Sequence, residues 1–491
     1  MERNSGILMH ISSLPGKYGI GDFGIEAYNF IDFLFNSNQK NWQILPLGIT
    51  GYGDSPYQSF SSFAGNPYFI DVEEFIKSNF ITKEEIKLYN LDSNNKTIDY
   101  HKLYENKYKI LKMVYQRSFS EIENELKTFY KNEKEWLRPF AIFMSLKEAY
   151  NGKSWLRWEE KYRKFNSIEV KEFEKNNQKE LFFWIFTQFY FYKQWTKIKK
   201  YANNKGIKII GDLPIYVAED SADIWSNSEI FKLDEKLIPK KISGVPPDLF
   251  SQTGQLWGNP IYDWNKMKEN NFSWWIKRIK HNFKLYDRLR IDHFRGFQAY
   301  WEVDYGSEDA VDGKWVKGPG IDFFKKIKEQ LGELDIIAED LGYLTEEVHN
   351  LIKETGYPGM KILQFAFDGS PDNNYLPHNY IKNSVVYTGT HDNNTTKSWF
   401  EKKNDDNKKY ILDYIKSERE KEISWEMIIT AWSSTADLAV APIQDFLALG
   451  SEARMNTPST LGDNWKWRID EKKLNKKLSQ KIAYITQLYG R

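Results

Sequence analysis

Short apolar runs rich in β-branched residues recur along the chain, separated by stretches of helical length. Residues 6–11, 41–47, 207–212, 288–292, 335–339, 360–365, 385–390 and 438–443 read as eight strands. Segments with helical periodicity lie between several of them, among them 25–34, 321–331 and 346–355. Continuously apolar strands alternating with helices predict parallel strands buried on both faces. From about residue 72 to 204 the pattern changes to charged, amphipathic helices without a strand. That segment is expected to be a helical insertion between the second and third strands. Residues 218–286 form a second insertion, after the third strand. No internal repeat or low-complexity linker breaks the chain, so residues 1–491 are read as one barrel with elaborations. The expected fold is α/β: a (β/α)8 TIM barrel with large, mainly helical insertions and no C-terminal β-sandwich domain.

Three of these strands end in acids. Leu289-Arg290-Ile291-Asp292-His293, Ile336-Ile337-Ala338-Glu339-Asp340 and Val385-Val386-Tyr387-Thr388-Gly389-Thr390-His391-Asp392 each carry a carboxylate at the C-terminal side. In such a barrel these ends converge on one mouth, where catalytic groups sit. A pair of carboxylates with a third acid nearby is the machinery of glycoside cleavage. Arg290 and Asp292 are two apart on a strand and face the same way. A guanidinium there favours the ionised carboxyl and lowers its pKa, which suits a nucleophile. Glu339 leaves an apolar strand, so desolvation should raise its pKa towards that of a general acid. Asp340 points elsewhere and is assigned to orienting or binding sugar. Asp392 is placed to grip sugar hydroxyls beside the reacting carbon, with His293 and His391 as hydroxyl donors.

Composition narrows the alternatives. The 69 Lys and Arg against 68 Asp and Glu leave a net charge of +1, giving no electrostatic case for nucleic acid or an anionic membrane. Cysteine is absent, which excludes disulfides and thiolate metal sites and fits a reducing cytoplasm. The seven His are scattered, so no catalytic metal is expected. No run of about 18 apolar residues exists, so no membrane span is expected, and the N-terminus does not read as a signal peptide. Gly19 to Gly24 fits G-x-G-x-x-G, but it does not directly follow a strand and lacks the acid downstream. No cofactor is expected. Aromatics are the outlier: 18 Trp, 30 Tyr and 32 Phe make up 16% of the chain. Many must be core, but Trp and Tyr in loops also suit a carbohydrate cleft, because ring faces stack on the C–H faces of sugars.

Together these blocks resemble glycoside hydrolase family 77 of the α-amylase clan, the 4-α-glucanotransferases called amylomaltases or disproportionating enzymes. The likeness runs nearly end to end: Gly6-Ile7-Leu8-Met9-His10, Gly53-Asp54-Ser55-Pro56-Tyr57-Gln58, Gly211-Asp212-Leu213-Pro214 and Val245-Pro246-Pro247-Asp248. It continues through Gly254-Gln255-Leu256-Trp257-Gly258-Asn259-Pro260, the three acidic strand ends, Arg454-Met455-Asn456-Thr457-Pro458 and Asn464-Trp465-Lys466-Trp467-Arg468. One departure is Ile11 after His10, where the family usually has Pro. The resemblance implies Asp292 as nucleophile, Glu339 as acid/base and Asp392 as transition-state stabiliser. It implies substrate contacts from Ser55, Tyr57, Asp212, Trp257, Arg290, His293, Asp340 and His391, with the loop around Trp257 overhanging the cleft. The implied substrates are maltooligosaccharides and α-1,4-glucans, handled in the cytoplasm by a monomer, or alternatively a homodimer. The implied reaction is retaining transfer of glucan segments to an acceptor 4-OH; the alternative is an α-amylase-like retaining hydrolase. A non-enzymatic glucan-binding scaffold would be expected to lack one of the three carboxylates, and all are present.

Overall fold

The computed structural model describes residues 2–51, 53–91, 96–247, 251–342 and 344–491. Among the described residues, twelve strands form two sheets: β1 (Asn4–Leu8), β2 (Asn41–Gln43), β3 (Lys208–Leu213), β4 (Lys241–Val245), β5 (Gln255–Pro260), β6 (Arg288–Ile291), β7 (Ala299–Asp304), β8 (Lys314–Lys317), β9 (Ile336–Ala338), β10 (Gly359–Ile362), β11 (Ser384–Tyr387) and β12 (Leu438–Pro442). Eight of them make one parallel sheet in the order β10-β11-β12-β1-β2-β3-β6-β9. The remaining gap is narrow. The Ala338 N–H at the end of β9 donates to the Pro358 carbonyl at 3.0 Å, and Met360 N–H donates to the Asp340 carboxylate at 2.5 Å. The sheet is therefore a nearly closed barrel, the (β/α)8 architecture read from the sequence.

The barrel strands are short because only their apolar centres pair. Ile209, Ile210, Leu289, Ile291, Ile336, Ile337, Val385 and Val386 are buried, as a strand covered on both faces requires. The ends drawn from the sequence reach too far at several places. Residues 9–11 and 44–47 leave the sheet after β1 and β2, and Ile11–Ser13 turn into a 3-10 helix. Helix Ile25–Asn36 and helices Ile321–Leu331 and Glu346–Thr355 fall where periodicity put them. Helix Tyr100–Ala149 packs along helix Gln178–Asn204 through rings such as Tyr115 on Phe183 and Phe140 on Trp184. Much of the aromatic surplus is core: Trp42, Trp155, Trp158, Trp195, Trp225, Trp275 and Trp432 are fully buried. Truncating one such ring to Ala costs about 3–5 kcal/mol.

The second sheet was not legible in advance. Strands β5-β4-β7-β8 pair antiparallel, so the elaborations beside the cleft are not only helical. Two strands come from the segment after β3 and two from the segment after β6, which separates each half from its partner in sequence. Asp248, part of one matched stretch, lies outside the described residues. No described helix is long and apolar enough to cross a membrane.

Candidate active site

Asp292, Glu339 and Asp392 line one open cleft of about 2130 Å³ beyond the C-terminal strand ends. Backbone pairing carries two of them there directly. Asp292 N–H donates to the Leu213 carbonyl at 3.0 Å, and Glu339 N–H donates to the Ile291 carbonyl at 3.1 Å. Asp392 sits further out, in the loop that follows β11.

Arg290 organises the floor. Its Nη1 reaches both oxygens of Asp212 at 2.8 and 2.7 Å, while its Nη2 lies 3.0 Å from Asp292 Oδ1. The alternation of side chains on β6 does bring Arg290 and Asp292 together. The effect on the carboxyl differs from the expectation. Burial outweighs Arg290 and pushes Asp292 up to about 6, with Asp212 adding repulsion. The cation is shared: Asp212 takes two bonds from it, leaving a weaker hold on Asp292. Burial likewise pushes Glu339 up to about 7, against the pull of Arg290 and with repulsion from Asp292. Both carboxyls are thus raised by burial, and each repels the charge of the other.

Glu339 is held by two backbone donors. His293 N–H binds its Oε2 at 2.7 Å and Leu341 N–H binds Oε1 at 2.8 Å. The first contact exists because His293 adopts a left-handed conformation, φ 50°, just after the strand. A non-glycine residue there is uncommon, and here it turns the N–H towards the acid. Burial, followed by the charge of Arg295, drops the His293 imidazole to about 3, so it acts as a neutral hydrogen-bonding group. Trp257 stands edge-on to it, with ring centres 4.7 Å apart.

An aromatic stack also lines the cleft. Tyr57 and His391 overlap at 5.0 Å and 17°, and Trp465 packs on both. Tyr57 donates to Asp212 Oδ2 at 2.8 Å; burial, then the Asp212 charge, keeps its phenol protonated. His391 Nε2 is 3.3 Å from Asp392 Oδ1. Asn456 Nδ2 donates to that same oxygen at 2.6 Å, and Arg454 Nη2 grips the Asp392 backbone carbonyl at 2.6 Å.

Ser55, Tyr57, Trp257, Arg290, His293 and His391 all line the cleft. Asp212 and Asp340 do not. Asp212 is 2% exposed, and its carboxylate is consumed by Arg290 and Tyr57 beneath the cleft floor. Asp340 turns away between β9 and β10, accepting from Met360 N–H, so it ties the barrel seam and does not line the cleft. The sequence reading missed the clamp on Asp392. Its signal was present, since Asn456 belongs to one of the matched blocks, but nothing in the spacing says which carboxylate it would meet.

An α/β barrel with three carboxylates lining one cleft, two of them raised by burial, carries the groups that glycosidic-bond cleavage requires. The family model for 4-α-glucanotransferase matches residues 9–474, and the chain belongs to that family of glycosyl-transferring enzymes. It is 51% identical to a 4-α-glucanotransferase of Clostridium butyricum, over 98% of this chain and 100% of that one. It is 45% identical to a 4-α-glucanotransferase of Thermus thermophilus, covering 96% and 95% respectively. Among solved structures, an amylomaltase from Streptococcus agalactiae in complex with acarbose superposes with a TM-score of 0.97 at 42% identity, covering all of both chains.

Proposed function

We propose that this chain moves α-1,4-glucan segments from donor to acceptor by a retaining double displacement. Asp292 attacks the anomeric carbon of the donor while the bond to the leaving oxygen breaks and Glu339 gives that oxygen its proton. A covalent glycosyl-enzyme on Asp292 results. The 4-OH of an acceptor then gives its proton to the Glu339 carboxylate and attacks the same carbon, releasing Asp292. Asp392 binds the hydroxyls of the reacting ring as positive charge develops there. The observation that carries this reading is the pair Asp292 and Glu339, facing one cleft and sharing the field of Arg290, both raised by burial. No step calls on a metal or cofactor.

Maltotriose separates transfer from hydrolysis. Transfer exchanges one α-1,4 bond for another, so a ladder of longer maltooligosaccharides and glucose should form with almost no new reducing ends. Acceptor positioning and exclusion of water supply the bias, since oriented reactants reach very large effective molarities. Reducing ends rising in step with shortening chains would assign an α-amylase-like hydrolase instead.

Asn456 is a positioning residue in this scheme, acting through Asp392. A hydrogen bond to a charged group contributes about 1.5–3 kcal/mol. Asn456→Ala should therefore lower kcat on maltotriose by about 10- to 100-fold, with a smaller change in KM. An unchanged kcat with a raised KM would mean that Asn456 serves ground-state binding alone.

A further inference from the structure

Trp315 is an exposed ring of the cleft that the mechanism leaves unused. It lies on β8, lines the cleft and is 41% exposed. The ring is backed. The Arg295 guanidinium sits 3.9 Å from its centroid, and Trp301, its direct partner across the β7–β8 pair, meets it at 5.4 Å and 68°. Trp301 is itself pinned by its indole N–H to the Ala310 carbonyl at 2.9 Å. Gly313 makes room for that ring, because a Cβ there would lie 2.2 Å from Trp301 Nε1. The hairpin is also keyed to the catalytic strand end. Gly318 N–H donates to Gln298 O and Gly320 N–H to Phe297 O, both at 2.8 Å, just beyond the turn that follows Asp292. A Cβ on Gly318 would strike the Phe297 carbonyl at 2.3 Å. A large apolar ring held firm on a cation and left open to a cleft is prepared for stacking.

The side of the cleft follows from Glu339. The leaving sugar must lie beside the group that protonates it. His293 N–H binds Glu339, Trp257 packs on His293, and Arg295 follows two residues later. We infer that Trp315 is a stacking platform for an acceptor glucosyl ring beyond the one that receives the new bond, so that it sets the preference for longer acceptors. This inference rests on the transglycosylase reading above.

The test uses maltotriosyl fluoride with its non-reducing 4-OH blocked, so that the donor cannot accept. Methyl α-glucoside and methyl α-maltotrioside are the acceptors. In Trp315→Ala the ratio of acceptor KM, maltotrioside over glucoside, should rise about tenfold, the scale of one aromatic contact. Trp315→Phe should recover most of it, which a merely loosened hairpin would not. An unchanged ratio, whether both acceptors weaken equally or neither does, overturns the platform. Fluoride release by the unaltered enzyme without any transfer product would instead remove the transglycosylase reading, and the inference with it.

Discussion

Asp292→Asn is expected to lose turnover by a factor on the order of 10⁴ or more while remaining folded. The substitution keeps the shape of the side chain but removes the anion that attacks the anomeric carbon. Stability should change little, because Arg290 keeps two bonds to Asp212 and the position faces an open cleft. The variant should also fail to form an adduct. With a 5-fluoro glycosyl fluoride, which slows breakdown of the intermediate, mass spectrometry of the quenched enzyme should find sugar on the peptide carrying Asp292. Asp292→Asn should give no such adduct. Sugar on another carboxylate, or near-normal turnover in this variant, would displace Asp292 from the nucleophile's role.

How far the sequence reached follows from which distances along the chain matter. The barrel was legible because each strand is its own apolar run, and burial on both faces leaves a local signature in Ile336-Ile337 or Val385-Val386. Asp292 and Glu339 were legible because they end such runs, and Asp392 because it follows one closely. The β5-β4-β7-β8 sheet was not: its strands are half polar, and β4 pairs with β7 across β6, a strand that belongs to the barrel. Partnership among charges was equally hidden. The rule that Arg290 faces Asp292 is local, but Asp212 comes from another strand, and it takes enough of the guanidinium to let burial set the sign of the Asp292 shift. Asp340 shows the reverse case. Alternation along the strand correctly turned it away from Glu339, and only the barrel seam explains what it binds.

Glu339→Gln should divide donors by how much they need a proton. On maltotriose, whose leaving oxygen requires protonation, the rate should fall by on the order of 10²–10⁴. On maltosyl fluoride, which leaves without protonation, formation of the glycosyl-enzyme should persist. The pH profile adds a second readout. Asp292 works ionised, so kcat/KM on maltotriose should rise as pH climbs through about 6; Glu339 works protonated, so it should fall above about 7. The two groups repel one another, so the limbs belong to the pair and the optimum between them is narrow. The residual rate of Glu339→Gln on maltotriose should lose the alkaline limb and keep the acid limb of Asp292. His293 cannot substitute for it, since its imidazole is already neutral throughout this range. Equal losses on both donors, or an alkaline limb that survives in Glu339→Gln, would show that the proton comes from another group in the cleft.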